Sequence, residues 1–176
     1  MNIRIANRED IPVIMETYAV AREFMRSTGN PAQWTDGYPA EELVAEGIRG
    51  GKHYVCECGG QTAAGVPAAD GGIKGELAGT FWFSAGPDPV YAEIYDGAWL
   101  DEAPYGVIHR LASNGKFRGV ADACFEWCFA QTGNIRVDTH RDNVVMQNIL
   151  KKNGYVRCGI VHLPSGAERI AFQKVI

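Results

Sequence analysis

The chain has 176 residues, 46% of them hydrophobic, and a formal net charge of -4 at pH 7. This apolar content is enough for the core of one domain, and we predict a single domain over residues 1–176. The acidic balance provides no basic face for a nucleic-acid backbone, so nucleic acid is not an expected partner. No apolar run approaches the roughly 18 residues of a membrane span, and no signal-peptide pattern opens the chain, so we expect a soluble cytoplasmic protein.

The five cysteines predict buried, reduced thiols rather than disulfides, because nothing in the sequence indicates secretion. Cys56 and Cys58 lie near His53 and could be drawn as a zinc site. Their spacing fits no common structural zinc pattern, so we expect no metal.

The first half of the chain predicts a strand, two helices and two more strands. After the opening strand, Asn7 suits the cap of a helix that continues to about Ser27 through apolar residues at helical spacing. A loop at residues 29–37 follows, and Pro39 suits the first turn of a second helix that ends near residue 48. The next strands are predicted at residues 53–58 and 76–84.

The segment at residues 59–72 is rich in glycine and alanine without any period, which predicts a long flexible hairpin loop. Residues 90–101 fit either a short helix or irregular coil. The second half of the chain then predicts strands at residues 105–112, 135–139, 155–162 and 169–174, and helices at residues 117–131 and 143–153. This order indicates a mixed α/β domain built on one sheet.

The most informative stretch is residues 105–121, which read as a buried strand, a basic glycine turn and the start of a helix. Free backbone N–H groups at such a helix start bind a pyrophosphate. The stretch has neither the Gly-Lys-Ser/Thr ending of a Walker loop nor the three glycines of a Rossmann fingerprint. It therefore indicates a phosphate-bearing cofactor bound in another way.

The turn Lys116-Phe-Arg-Gly119-Val-Ala121 resembles the Gln/Arg-x-x-Gly-x-Gly/Ala signature of the GCN5-related N-acetyltransferase (GNAT) family, with lysine in the first position. Asn143, which opens the next helix, and Gly154-Tyr155 at its end match a second family pattern. The resemblance covers essentially the whole chain, with residues 59–72 as an apparent insertion. It implies an α/β (α+β) GNAT-like acyl-CoA N-acyltransferase fold, with a mixed, mostly antiparallel sheet of about seven strands and about four flanking helices.

The resemblance also implies that acetyl-CoA is the acetyl donor. Backbone N–H groups near Gly119 would face its pyrophosphate, and the preceding strand would pair with its pantetheine arm. The resemblance implies that Asn143 contacts the cofactor. The alternative is that Asn143 only caps its helix, although one residue can do both. The implied cofactor-binding residues are Leu111, Ala112, Ser113, Lys116, Phe117, Arg118, Gly119, Val120, Ala121 and Asn143.

His109 is the first candidate for the general base, because an imidazole titrates near neutrality and arylalkylamine acetyltransferases resemble this chain in carrying a histidine there. The alternative is a structural histidine hydrogen-bonded within the sheet. Asp138 and His140, at the end of the neighbouring strand, are weaker candidates. His140 could instead orient Asn143 or cap the sheet edge.

The family's usual acid, a tyrosine seven residues after the helix-opening asparagine, is replaced here by Leu150. Tyr155 and Tyr105 are candidates to replace it, although either fits a packed core or edge position. A thiol of ordinary pKa can also leave as the thiolate, so an acid is not essential.

The acceptor is expected to be a small-molecule or peptide amine, recognised by the first two helices, the loop around Trp34 and residues 90–102. That last segment contains an acidic cluster formed by Glu93, Asp96, Asp101 and Glu102. The cluster would attract an amine, although such clusters usually form solvated surface. Trp34, Trp82 and Trp99 line either an apolar pocket or the core.

The alternative functions are a non-catalytic acyl-CoA-binding or interaction module, and transfer of a longer acyl group or to a hydroxyl. Exposed sheet edges are compatible with a homodimer.

Overall fold

The computed structural model describes residues 1–59 and 75–176. The predicted loop at residues 59–72 lies, apart from Gly59, outside the described residues. In the described part of the chain, no helix combines the length and the apolar character needed to cross a bilayer. The strands and helices are β1 (Asn2–Ile5), α1 (Ile11–Ser27), α2 (Glu41–Arg49), β2 (His53–Cys58), β3 (Glu76–Ala85), β4 (Gly106–Ser113), α3 (Val120–Thr132), β5 (Asn134–Thr139), α4 (Val144–Lys152), β6 (Val156–His162) and β7 (Glu168–Val175).

The described strands form one seven-stranded sheet in the order β1-β2-β3-β4-β5-β7-β6. Every neighbouring pair is antiparallel except β4 and β5, which run parallel. This arrangement, with the helices packed on both faces, confirms the predicted mixed and mostly antiparallel fold. The parallel pair is short: β5 meets β4 only at Gly106 with Ile135 and Val107 with Arg136. Beyond Val107 the two strands diverge, and the sheet opens there.

The two faces of the sheet carry separate apolar layers. On one face, Phe81, Ile108 and Phe125 belong to a core that includes the buried side of α3. On the other face, Val55 and Ala112 pack with Tyr18 and other residues of α1 and α2. The strand β4 contributes Ile108 to the first layer and Ala112 to the second, and it is the central strand of the seven.

Helix boundaries follow local backbone chemistry. Asn7 and Asp10 form a capping box around a short 3-10 turn, and α1 continues from it to Ser27 as predicted. The second helix begins at Glu41 rather than Pro39, and α3 begins at Val120 rather than residue 117. The later start of α3 has a clear cause, because Gly119 adopts φ 81°, outside the right-handed helical region.

The segment left open in the sequence, residues 90–101, is mostly irregular. A 3-10 turn at Pro89–Tyr91 leads into coil, and Tyr95 forms an isolated bridge with Ile160 of β6. All five cysteines are free thiols, and Cys58 is the one that is only partly buried. Burial raises the pKa of Cys56 to about 12, which keeps this thiol protonated and unreactive.

Candidate active site

A cavity of about 930 Å³ lies where β4 and β5 separate. Residues 108–113 of β4 form one wall, and residues 137–139 of β5 form the other. The first turn of α3 closes one end through Val120 and Ala121. The loop after α1, with Trp34 and Tyr38, covers the side of the sheet that carries α1 and α2.

The α3 end of this cavity has the geometry of an anion site. Gly119 holds a left-handed φ of 81°, and a Cβ placed on it would meet no protein atom within 4 Å. The helical hydrogen bonds begin with Ala123, whose N–H donates to the Gly119 carbonyl at 2.9 Å. The N–H groups at the start of α3 therefore have no helical acceptor, and the helix dipole adds favourable charge for an anion. A pyrophosphate fits this open corner.

The predicted phosphate-binding residues in the turn before α3 differ in what their side chains contact. Lys116 Nζ is exposed and lies 2.7 Å from Glu76 Oε1, which raises the lysine pKa. The ring of Phe117 packs against the core beside α3, so at most its backbone can reach a cofactor. Arg118 is exposed, and its side chain is free to approach a phosphate from solvent.

The residues that the resemblance assigns to the pantetheine arm lie on the β4 wall. Leu111, Ala112 and Ser113 all line the cavity. Antiparallel pairing with β3 continues to Ser113, whereas β5 does not pair with β4 beyond Val107. Backbone groups of this stretch that point toward β5 therefore lack a neighbouring strand, and a bound amide chain can take its place.

A β-bulge interrupts β4 beside the cavity. Trp82 pairs with His109, and Thr80 pairs with Ala112, so two residues of β4 stand opposite one residue of β3. Arg110, within the bulge, has φ 55°, a left-handed value that is unusual for a residue other than glycine. The side chains of His109 and Arg110 both turn to the face of the sheet that carries α1 and α2. The His109 ring stacks on Trp82 at 5.3 Å, and the Arg110 guanidinium lies 5.7 Å from the same Trp82 ring.

Arg110 also affects a buried histidine on this face. Burial, together with the charge of Arg110, lowers the pKa of His53 to about 4. His53 is therefore neutral, and its Nε2 lies 2.9 Å from the Thr80 hydroxyl. His53 is thus a structural histidine hydrogen-bonded within the sheet, which is the role proposed as the alternative for His109.

His109 instead lines the cavity and is paired with a carboxylate. Its Nε2 lies 2.8 Å from Asp88 Oδ2. Asp88 also accepts a hydrogen bond from the Val90 N–H, which fixes the carboxylate in the turn after β3. The hydrogen bond with His109 lowers the pKa of Asp88 despite partial burial, so this carboxylate stays ionised at neutral pH.

Asp138 also lines the cavity, on β5. The Tyr91 hydroxyl donates to its Oδ2 at 2.8 Å, and Arg169 Nε lies 3.9 Å from its Oδ1. Burial raises the pKa of Asp138 in spite of the nearby positive charges. The structure thus brings both an imidazole and a buried carboxylate to the same end of the cavity.

The other catalytic candidates lie away from the cavity lining. His140 Nδ1 accepts the Asp142 N–H at 3.2 Å, and burial lowers the His140 pKa. This histidine organises the turn into α4. Tyr155 is buried beside Phe125 in the core, and burial raises its pKa strongly. Tyr155 does not line the cavity, which favours the core position over the role of acid.

Two further expectations on the acid have clear outcomes. Leu150 is fully buried in α4, so its position supplies no proton donor. Tyr105 does not line the cavity: its hydroxyl accepts the Asp88 N–H at 3.2 Å, and the Arg136 guanidinium lies 4.0 Å from its ring centroid. Tyr105 therefore supports the turn that carries Asp88.

Asn143 combines a capping role with a contact across the cavity. Its Oδ1 accepts the Met146 N–H at 3.1 Å, which caps α4. Its Nδ2 donates to Gln33 Oε1 at 2.8 Å, which ties the start of α4 to the loop after α1. Gln33 and Asn143 both line the cavity, so this hydrogen bond joins two parts of its wall.

The acidic cluster ahead of β4 is not part of the cavity lining. Asp101 Oδ1 accepts from the side chains of Asn134 at 2.9 Å and Gln173 at 3.2 Å, which makes it structural. Glu93 accepts from the Tyr95 hydroxyl at 2.6 Å on the surface. These contacts favour the alternative, in which the cluster is structural and surface rather than a binding site for the acceptor.

The three tryptophans separate in the same way. Trp34 lines the cavity, and Trp82 lies beneath His109 and Arg110. Trp99 instead stacks on the Arg136 guanidinium at 4.2 Å, away from the cavity.

Sequence reasoning missed four residues that shape this site: Asp88, Tyr91, Arg110 and Arg169. The adjacent polar pair His109-Arg110 inside an apolar strand breaks the two-residue alternation, which is a signal for a bulge. The other three reach the cavity through contacts far apart in sequence, and no local pattern marks them.

The splayed parallel pair, the open helix start and the cavity between them together define a class, the acyl-CoA N-acyltransferases. An acetyltransferase of the GNAT family from Streptococcus agalactiae is 34% identical, with a TM-score of 0.79 over 99% of this chain and 95% of that chain. A GNAT-family acetyltransferase from Listeria monocytogenes is 17% identical, with a TM-score of 0.64 over 99% and 94%. Arabidopsis thaliana NAA60 in complex with acetyl-CoA is 13% identical, with a TM-score of 0.61 over 99% of both chains.

No protein-family model and no curated protein matches the chain. The likenesses below 25% identity concern the fold alone, whereas the Streptococcus agalactiae protein is similar in sequence over nearly its full length. The chain belongs to the GNAT family of acetyltransferases.

Proposed function

We propose that this protein transfers an acetyl group from acetyl-CoA to an amine, by direct attack on the thioester in a ternary complex. One observation carries the proposal: a single cavity is lined by Val120 and Ala121, which follow Gly119 at the open start of α3, and by His109, which pairs with Asp88. An anion site and a proton acceptor at opposite ends of one cavity are what acetyl transfer from coenzyme A requires.

Acetyl-CoA supplies the thioester carbonyl that the amine attacks. In this proposal the N–H groups at the start of α3 bind its pyrophosphate, with Arg118 nearby as a cation. Leu111, Ala112 and Ser113 pair with the pantetheine arm through their backbones. Asn143 holds the loop after α1 against the arm through its bond to Gln33.

The proposed base is His109, oriented by Asp88. A carboxylate only accepts hydrogen bonds, so Nε2 of His109 carries the proton that faces Asp88. The lone pair of the ring then lies on Nδ1, which takes the proton of the amine. The carbon–nitrogen bond forms, the carbon–sulfur bond breaks, and the sulfur leaves as a thiolate that takes a proton from water.

Asp138 is the second candidate for the base, since burial raises its pKa toward neutrality and it faces the same space. Replacing each candidate separately distinguishes them. With His109→Gln we expect kcat to fall at least about 100-fold while coenzyme A affinity is kept. The reverse pattern, with the loss confined to Asp138→Asn, would assign the base to Asp138.

The class of acceptor is proposed as a small-molecule or peptide amine. Among structures similar in fold, one contains the NatC complex bound to Gag peptide and CoA. We further propose that residues 1–176 act as one domain in the cytoplasm. A homodimer would pair or cover β1 or β6, the edges of the described sheet.

The alternative is a non-catalytic module that binds acyl-CoA, which the leucine at the usual acid position favours. Thiol release from acetyl-CoA across a panel of amines, with calorimetry for coenzyme A, separates the two. Binding without thiol release would establish the module. Absence of coenzyme A binding would reject both functions.

A further inference from the structure

Four charged or titratable side chains at the acceptor end line the cavity, and three of them already have partners of opposite charge. His109 pairs with Asp88 at 2.8 Å, and Asp138 lies 3.9 Å from Arg169. Arg110 is the fourth. Within the described residues it forms no ion pair, and its Nε is buried without a hydrogen-bond partner.

The position of Arg110 is enforced by the backbone. The bulge in β4 places it on the same face as His109, at a φ of 55° that costs about 1–2 kcal/mol for a residue other than glycine. The Trp82 ring lies beneath both side chains. An unpaired guanidinium held in a strained conformation at a cavity wall is suited to an anion that arrives with the substrate.

Resting on the proposed function, we infer that the acceptor carries a carboxylate close to its amine, and that Arg110 binds this carboxylate. Since Arg110 and His109 are adjacent and share a face, the carboxylate and the reacting amine must belong to one small molecule. A free amino acid meets this condition, whereas at the N-terminus of a protein an amide replaces the α-carboxylate.

The cavity wall that faces Arg110 indicates the chemistry of the rest of the acceptor. Phe24, Trp34 and Tyr38 line the cavity from α1 and the loop after it, and they present apolar surface. An apolar side chain fits against them. The predicted substrate class is therefore the apolar and aromatic amino acids.

The test compares two pairs of compounds that differ only in the carboxylate: phenylalanine with phenethylamine, and leucine with 3-methylbutylamine. Thiol release from acetyl-CoA gives kcat/KM for each. We expect the wild-type protein to prefer each amino acid by about 10- to 100-fold, the range of one hydrogen-bonded charge pair. In Arg110→Gln this ratio should fall to near one, and Arg110→Lys should retain part of it.

Arg49→Gln is the matched control, because Arg49 is an exposed arginine at the end of α2 and does not line the cavity. This variant should keep the preference. Equal use of both members of a pair by the wild-type protein, or a preference that survives in Arg110→Gln, would overturn the inference and leave the proposed function intact.

If no amine is acetylated, the proposed function fails and a binding measurement still decides the role of Arg110. Calorimetry of phenylalanine against the protein saturated with coenzyme A supplies it. Binding that requires the carboxylate and is lost in Arg110→Gln would support the inference. Equal binding of phenylalanine and phenethylamine, or no binding of either, would refute it.

Discussion

Replacing Gly119 by alanine tests the proposed pyrophosphate site directly. The new methyl group would meet no protein atom within 4 Å, so it creates no clash inside the protein. It would occupy the open corner at the start of α3 that the proposal assigns to the pyrophosphate. The variant therefore separates a cost to the fold from a cost to binding.

The cost to the fold is small. An alanine at φ 81° loses about 1–2 kcal/mol, and part of this is offset because alanine reduces the entropy of the unfolded chain by about 0.4–1 kcal/mol. A net loss of about 1 kcal/mol lowers the melting temperature by about 2–4 °C in a chain of this size.

The cost to binding is larger. A methyl group between the helix start and the pyrophosphate breaks at least two charge-assisted hydrogen bonds of about 1.5–3 kcal/mol each. The loss of about 3 kcal/mol corresponds to a Kd for coenzyme A about 150-fold higher. Calorimetry measures this value, and Gly51→Ala is the matched control. Gly51 has φ 65° and equally open space, but it follows α2, away from the cavity.

S-acetylpantetheine, which has no pyrophosphate, sharpens the comparison. Gly119→Ala should leave its kcat/KM close to the wild-type value while that of acetyl-CoA falls. If Gly119→Ala kept its affinity for coenzyme A within about threefold and melted like Gly51→Ala, the start of α3 would not be the pyrophosphate site.

Four further replacements have defined outcomes. Asp88→Asn should lower kcat/KM about 10- to 100-fold at unchanged coenzyme A affinity, because asparagine cannot hold the imidazole in one tautomer; an unchanged rate would remove Asp88 from the mechanism. Because burial raises the pKa of Asp138, stability falls as the pH rises from about 3.9 through the raised value. Asp138→Asn should therefore melt higher than the wild-type protein at pH 7, and a difference that persists at pH 3 would contradict this sign. Asn143→Ala should lose about 1 kcal/mol of stability through the missing cap, whereas Gln33→Ala should leave stability nearly unchanged and speed amide exchange in the loop after α1.

Much of the fold could be predicted because its signals are local. The apolar periodicity of α1, the glycine after α4 and the short strands all depend on neighbours within one or two turns. The boundaries that shifted did so for equally local reasons, as at Gly119, whose left-handed conformation delays α3 until Val120. The family motif then located the start of α3, where we propose that the pyrophosphate binds.

The acceptor end could not be predicted to the same depth, because its partners are distant in sequence. Asp88 and His109 are 21 residues apart, and Tyr91 and Asp138 are 47 apart. Their contacts exist only once β3, β4 and β5 are paired in this register. Candidates for the base could therefore be predicted, but neither the Asp88 carboxylate beside His109 nor the unpaired Arg110 could be.

The cavity depends on β4 being fixed on one side and free on the other. Gly79 of β3 lies opposite Ser113, and a Cβ there would come within 2.4 Å of Val120 Cγ1 and 2.6 Å of the Ala112 carbonyl oxygen. Only glycine lets β3, β4 and the first turn of α3 approach this closely. The same close approach anchors the helix start against a rigid strand pair, while β5 turns away beyond Val107. The proposed anion site and the proposed acceptor site are thus held at a fixed separation by one strand, with the bulge at Arg110 setting which side chains face the acceptor.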